Sequence, residues 1–304
     1  MNFQKEAFLA KYSSGQQMLL LMLLALLCMI VFSAIGVFGA IAIYKVNIFT
    51  NPDVFRNASD PDVLAALQMM QTMQAIGFFV VPSIGFSALA ANNKWNYLAV
   101  NQFPKVLPFL AAVFMVVVSI PFINYMGEWN SKLPFPQWVY DSEKEAEGLM
   151  NAFLNFNTIS ALLFNLFMMA LLPAIGEEFL FRGLIQKLLE KITRNKHIAV
   201  WGSAIIFSAF HMQFLGFFPR MILGAMFGYM VIESGNLWYS IVGHFTNNAM
   251  AVIITYLVNT KQILPDVETY GKENFIISMV SALLMVTVMI LFGKLIEKNA
   301  PEPN

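Results

Sequence analysis

Long apolar runs separated by short polar links fill almost the whole chain. The first covers residues 18–44, far beyond the roughly 7–15-residue core of a signal peptide, and predicts a retained spanning helix. Further spans are predicted at 67–91, 107–123, 149–175, 198–210, 221–232, 237–258 and 275–295. No internal repeat or low-complexity tract interrupts this order. The expected fold class is therefore all-α and polytopic, a bundle of about eight transmembrane helices.

The links carry their own signals. Residues 45–61 hold the turn sequences Asn51-Pro52-Asp53 and Ser59-Asp60-Pro61, and a glycosylation sequon at Asn57-Ala58-Ser59. Gln68, Gln71 and Gln74 recur at three-residue spacing on one stripe of the second span, as a bundle-facing edge or as a substrate-contacting one. Residues 124–147 are the longest polar stretch, with Trp129, Pro134, Pro136 and Trp138 ahead of an acidic run. Aromatics and prolines beside a membrane make this an interfacial cap or an ordinary loop with belt aromatics.

Composition narrows the class. The chain is 58% hydrophobic and 12% charged, against roughly 25% charged in soluble domains. Lys+Arg and Asp+Glu both number 18, so nothing in the balance points to a nucleic-acid partner. One cysteine, Cys28, lies inside an apolar run and allows neither an internal disulfide nor a cysteine metal site.

Eight spans put both termini on one side. The loops there carry Lys5, Lys11, Lys94, Lys105, the basic cluster at 187–196, Lys294 and Lys298. The opposite loops carry Asp53, Asp60, Asp62, Glu143, Glu145, Asp266 and Glu268. The excess of Lys and Arg places both termini in the cytoplasm, with the Glu177-Glu178 pair at the cytoplasmic end of the fourth span. Short basic cytoplasmic loops fit a prokaryotic inner membrane.

The candidate chemistry is concentrated in the second half. Gly176-Glu177-Glu178-Phe179-Leu180-Phe181-Arg182-Gly183 puts two carboxylates and a guanidinium directly after a long apolar run. Ionisable residues at such a place mark function by default. On a helix Glu178 and Arg182 lie one turn apart, acid first, and form an ion pair. Glu177 points about 100° away and keeps no local partner. His211 ends Phe207-Ser208-Ala209-Phe210-His211, and His244 and Asn248 share one face of the seventh span. A carboxylate beside a neutral histidine can hold and deprotonate water. A second histidine with an amide can donate to a developing oxyanion. No serine or cysteine sits in a nucleophile motif. Two histidines and a glutamate are also acceptable zinc ligands, although no HExxH helix is present. Intramembrane Glu and His serve proton relays in transporters as well, and the clustering in one half without a repeat weighs against that class.

The run GEEFLFRG, the FxxxH of Phe207–His211 and the HxxxN of His244–Asn248 together resemble the CPBP family, which contains CAAX-type prenyl proteases and bacteriocin-processing enzymes and is also labelled Abi. The resemblance covers about 149–258. It divides the chain into N-terminal membrane helices at 1–148, a catalytic core at 149–258, and a last helix with a polar tail at 259–304. It implies an intramembrane glutamic endopeptidase without metal or other cofactor, with a polar active-site cavity open to the cytoplasmic side. Glu177 and His211 would activate water, and His244 and Asn248 would form the oxyanion hole. Glu178 and Arg182 would brace the site, and Phe207 would pack beneath His211. The implied partners are a peptide or lipidated-protein substrate and the bilayer. A zinc-dependent hydrolase of the same fold and a non-catalytic membrane immunity or regulatory partner are the alternatives.

Overall fold

The computed structural model describes residues 7–50 and 58–298. The 51–53 turn, Asn57 of the sequon, Lys5 and the tail beyond Lys298 lie outside the described residues. Among the described residues all regular structure is helical. We number the main helices α1 Ser14–Tyr44, α2 Pro61–Ala90, α3 Val106–Ser131, α4 Gln137–Leu154, α5 Ile159–Thr193, α6 Lys196–Phe210, α7 Phe217–Ser234, α8 Trp238–Asn259 and α9 Phe275–Lys298.

Seven of these regions are long and apolar enough to cross a membrane: α1, α2, α3, α5, α7 with its preceding turn, α8 and α9. The protein is thus a polytopic membrane bundle. The predicted fifth span, α6, is 15 residues long and is the short member of the set.

Local chemistry sets the helix starts. Ser13 and Gln16 form a reciprocal capping box ahead of α1, while Asp60 and Asn195 cap α2 and α6 through their side chains. Proline explains the irregular turns. Pro82 and Pro173 each follow a π-helical turn, at Ile76–Val80 in α2 and Leu166–Leu171 in α5. Neither proline can donate to the carbonyl four residues before it, so the local ladder is re-registered. In α3, Pro121 is met by serines of α9. Phe122 N donates to Ser281 Oγ at 3.1 Å, and Ser281 Oγ donates to the Val118 carbonyl at 2.5 Å. The hydroxyl bridges a rung that the helix alone leaves open, and it docks α9 on α3.

Two boundaries differ from the hydropathy reading. The fourth span was expected over 149–175. Instead, 149–154 ends α4, and the membrane helix continues from Ile159 to Thr193 through two π-helical segments. Glu177 and Glu178 therefore sit mid-helix, with Glu177 about 24 Å along the axis from Thr193, and the expectation of a pair at the helix end is corrected. The cause is the burial of the charged run, which an apolar window cannot anticipate: every residue from Gly176 to Gln186 is buried. Second, the polar stretch at 124–147 is largely ordered, partly as the end of α3 and partly as the amphipathic α4.

Hydrogen bonds fix which helix ends share a face. On one face Leu237 N donates to the Ala99 carbonyl at 2.9 Å, Lys105 N donates to Tyr239 Oη at 2.9 Å, and Lys187 Nζ donates to the Tyr97 carbonyl. Leu9 joins Leu98 and Leu188 in the core there. On the other face Asn259 Nδ2 donates to the Leu154 carbonyl at 2.7 Å, Asn124 Nδ2 to that of Tyr270 at 3.0 Å, and Asn130 Nδ2 to that of Phe214 at 3.0 Å. Residues 94–105, the α5 end and the start of α1 thus lie on the first face, and α4 lies on the second.

Candidate active site

The site is built from α5 outward. Glu178 and Arg182 form the predicted i, i+4 pair, with Arg182 Nη1 to Glu178 Oε1 at 2.8 Å and both side chains fully buried. The π-helical turn Phe179–Gln186 that carries Arg182 starts directly after Glu178. Such turns recur at functional sites, where they re-aim side chains. Arg182 also donates from Nη2 to the Gly224 carbonyl of α7 at 3.0 Å. Gly224 permits this close approach, since a Cβ would lie 3.0 Å from that Nη2 and 3.2 Å from Ala204 Cβ. One turn further on, Gln186 Nε2 donates to the Gly228 carbonyl at 3.2 Å. The guanidinium is further sandwiched by aromatic faces, 4.5 Å from Phe207 and 5.6 Å from Phe227.

Glu178 Oε1 is shared. His244 Nδ1 approaches it at 2.9 Å, so α8 is tied to α5 through the same carboxylate oxygen that receives Arg182. An ionised carboxylate only accepts, so Nδ1 carries the proton. The other nitrogen, Nε2, lies 3.8 Å from Glu177 Oε2. His244 therefore stands between the twin acids, one fully sealed and one at the wall of a cavity. Phe227 stacks on the imidazole at 5.4 Å and 14°.

His211 closes α6. Its Nδ1 donates to the Phe207 carbonyl one turn earlier at 2.9 Å, which leaves Nε2 with a free lone pair in the neutral ring. Phe207 packs edge-on against His211 at 4.9 Å and against His244 at 6.1 Å. Asn248 donates from Nδ2 to the Met169 carbonyl at 3.2 Å and accepts from Asn247 Nδ2 at 3.1 Å. Met169 is the residue whose carbonyl Pro173 cannot serve, so the proline break in α5 orients the amide on α8.

These side chains meet at one cavity of about 500 Å³, whose wall includes Glu177, His211, His244, Asn248 and Phe207. Glu178 and Arg182 lie behind that wall. The structure thus brings all four candidate chemical groups to one space and places the two bracing residues outside it. Sequence reasoning missed Phe227, and also Gln213 and Arg220, which line the same cavity. Arg220 Nη1 donates to Gln213 Oε1 at 3.0 Å and Nη2 donates to the Gln213 carbonyl. An arginine at the start of an apolar helix was the available signal. Gln71 of the glutamine stripe also reaches the cavity, and Ala146, Leu149, Met150 and Phe153 of α4 form its cover. Among the described residues no group of three His, Cys, Asp or Glu side chains is arranged to hold a metal ion.

Comparison with known proteins agrees with the motifs. A stretch of 137 residues, 44% of this chain, is 28% identical to the uncharacterized protein YpbD of Bacillus subtilis (strain 168). That alignment spans 64% of the length of YpbD. No solved structure matches the chain. Residues 159–250, which hold every side chain predicted for the site, match a family model described as type II CAAX prenyl endopeptidase Rce1-like.

Proposed function

We propose that this protein is an intramembrane endopeptidase that hydrolyses a peptide bond of a membrane-associated or lipidated substrate with water activated by Glu177 and His211. The observation that carries the reading is the meeting of Glu177, His211, His244 and Asn248 at a single cavity inside a membrane bundle.

Water held between the Glu177 carboxylate and His211 Nε2 attacks the scissile carbonyl carbon as Glu177 takes its proton. The oxygen of the tetrahedral intermediate gains negative charge and is met by Asn248 Nδ2 and His244. Glu177 returns the proton to the leaving amine, and the C–N bond breaks to give a carboxylate and an amine. No covalent intermediate forms. Glu178 and Arg182 act by position: the shared carboxylate fixes the His244 ring and the guanidinium fixes the carboxylate. His244 already gives its Nδ1 proton to Glu178, so donation to the oxyanion comes from Nε2 and needs the imidazolium form.

The same reading places the chain in a prokaryotic cytoplasmic membrane with its basic loops and both termini inside. The test is cleavage of membrane-anchored and lipidated peptides by purified protein in detergent, monitored by mass spectrometry. Loss of cleavage in Glu177→Gln and His211→Ala, with retained folding, is the expected result. Undiminished cleavage by either variant overturns it. Activity abolished by chelation and restored by zinc would instead support a zinc-dependent hydrolase.

A further inference from the structure

In place of the cytoplasmic opening that the family resemblance implied, we infer that the cavity is reached from the membrane face opposite the basic loops, beneath α4, so that its substrate is a polypeptide segment displayed outside the cytoplasm. The substrate half of this inference rests on the hydrolase reading above, whereas the direction of access does not.

Three observations combine. First, the cover of the cavity is α4, through Ala146, Leu149, Met150 and Phe153. Met150 lines the cavity and keeps 43% of its surface exposed. Second, α4 is anchored to the face that holds the ends of α3 and α8 and the start of α5. Asn259 bonds the Leu154 and Phe156 carbonyls, and Trp138 meets Phe214 edge-on at 5.7 Å. Third, Lys and Arg crowd the other face. Lys11, Lys94, Lys105, Lys191, Arg194, Lys196, Lys294 and Lys298 lie there, at helix ends bound to one another by the 97–105 and 237–239 contacts. Among the described residues the α4 face holds fewer bases, Lys45, Lys132, Lys144, Arg220, Lys261 and Lys272, set among Glu128, Asp141, Glu143, Glu145 and Glu147. The distribution of Lys and Arg near span ends sets orientation, with the richer face cytoplasmic.

The access direction follows from placement inside the helix rather than from the loops alone. With span four ending at Thr193, Glu177 lies about 15 Å along the axis beyond Lys187, away from the basic face. Side chains of α5 between them, Leu180, Phe181 and Leu184, are buried in the apolar core and seal that side. A peptide arriving from the basic face meets packed hydrocarbon. A peptide arriving from the α4 face meets Met150, Gln213 and Arg220 before it reaches Glu177. The surface it crosses is acidic, which favours cationic segments.

The experiment is thiol accessibility in membranes. Cys28, the one cysteine of the chain, is replaced by serine. Single cysteines are then placed at Gly148 on the exposed side of α4, at Met150 on the cavity wall, and at Ile192, which is 48% exposed at the end of α5. A membrane-impermeant maleimide is applied to right-side-out and inverted vesicles. We expect Gly148→Cys and Met150→Cys to label in right-side-out vesicles and Ile192→Cys only in inverted ones. The reverse pattern, or Met150→Cys and Ile192→Cys labelling from the same side, overturns the inference. Labelling is read without turnover, so a failed access assignment leaves the hydrolase reading intact. Conversely, persistent cleavage by Glu177→Gln removes the hydrolase and leaves the access side standing.

Discussion

His244 Nδ1 lies 2.9 Å from Glu178 Oε1, a carboxylate with no solvent-exposed side-chain surface. The contact joins two helices distant in sequence through a carboxylate with no surface open to bulk solvent. It separates the roles of two adjacent acids, since only Glu177 faces the cavity.

Glu178→Ala is expected to damage the fold as well as the activity. It leaves the Arg182 charge buried without its partner, a loss of about 3–5 kcal/mol for a broken buried pair. Thermal unfolding in detergent should show a clearly lowered midpoint. A wild-type midpoint would show that the pair does not hold the bundle together.

Glu177→Gln is expected to behave in the opposite way. The side chain keeps its shape and sits at a cavity wall, so folding should be preserved. Loss of the base should lower kcat by about 10²–10⁴-fold with little change in substrate binding. Single-turnover cleavage beside a binding titration separates the two effects.

Asn248→Ala removes a donor and releases the Met169 carbonyl. Loss of one oxyanion donor lowers kcat by about 10²–10³-fold. Asn248→Asp keeps the size and replaces the amide donor by a carboxylate, so it should be no better than alanine in cleavage assays. Recovery of activity in Asn248→Asp would show that the residue acts through packing.

Gly224→Ala tests the close approach of α7 to Arg182. The new methyl would lie 3.0 Å from Arg182 Nη2 and 3.2 Å from Ala204 Cβ. Overpacking of this kind costs about 1–3 kcal/mol. Lower stability with a shifted Arg182 should reduce cleavage, and Gly148→Ala, which has nothing within 4 Å, serves as the neutral control.

Much of this was legible in the sequence for a physical reason. An i, i+4 acid–base pair and an i, i+4 His–Asn pair are properties of one helix, so Glu178–Arg182 and His244–Asn248 could be read from spacing. Their meeting across helices rested on the three motifs and not on spacing. The helix boundary after Ile175 was misplaced because hydropathy counts a charge as exposed, whereas Glu178 neutralises Arg182 inside the protein. Phe227 and Arg220 went unseen because a ring or a guanidinium among apolar residues gives no sign of the side it faces. The cover helix α4 was split between a polar stretch and the fourth span, because its acidic turns from Asp141 to Glu147 lower the hydropathy while Leu149, Met150 and Phe153 join the apolar run that follows.

The 15 residues of α6 reach only about 22 Å, well short of the ~30 Å hydrocarbon layer. Lipid meeting so brief a rod has to thin beside it, or leave its upper end to solvent. His211 is at that upper end. For the hydrolysis proposed above, the shortfall of one helix would supply what the surrounding oil withholds, water delivered from the side at the depth of His211.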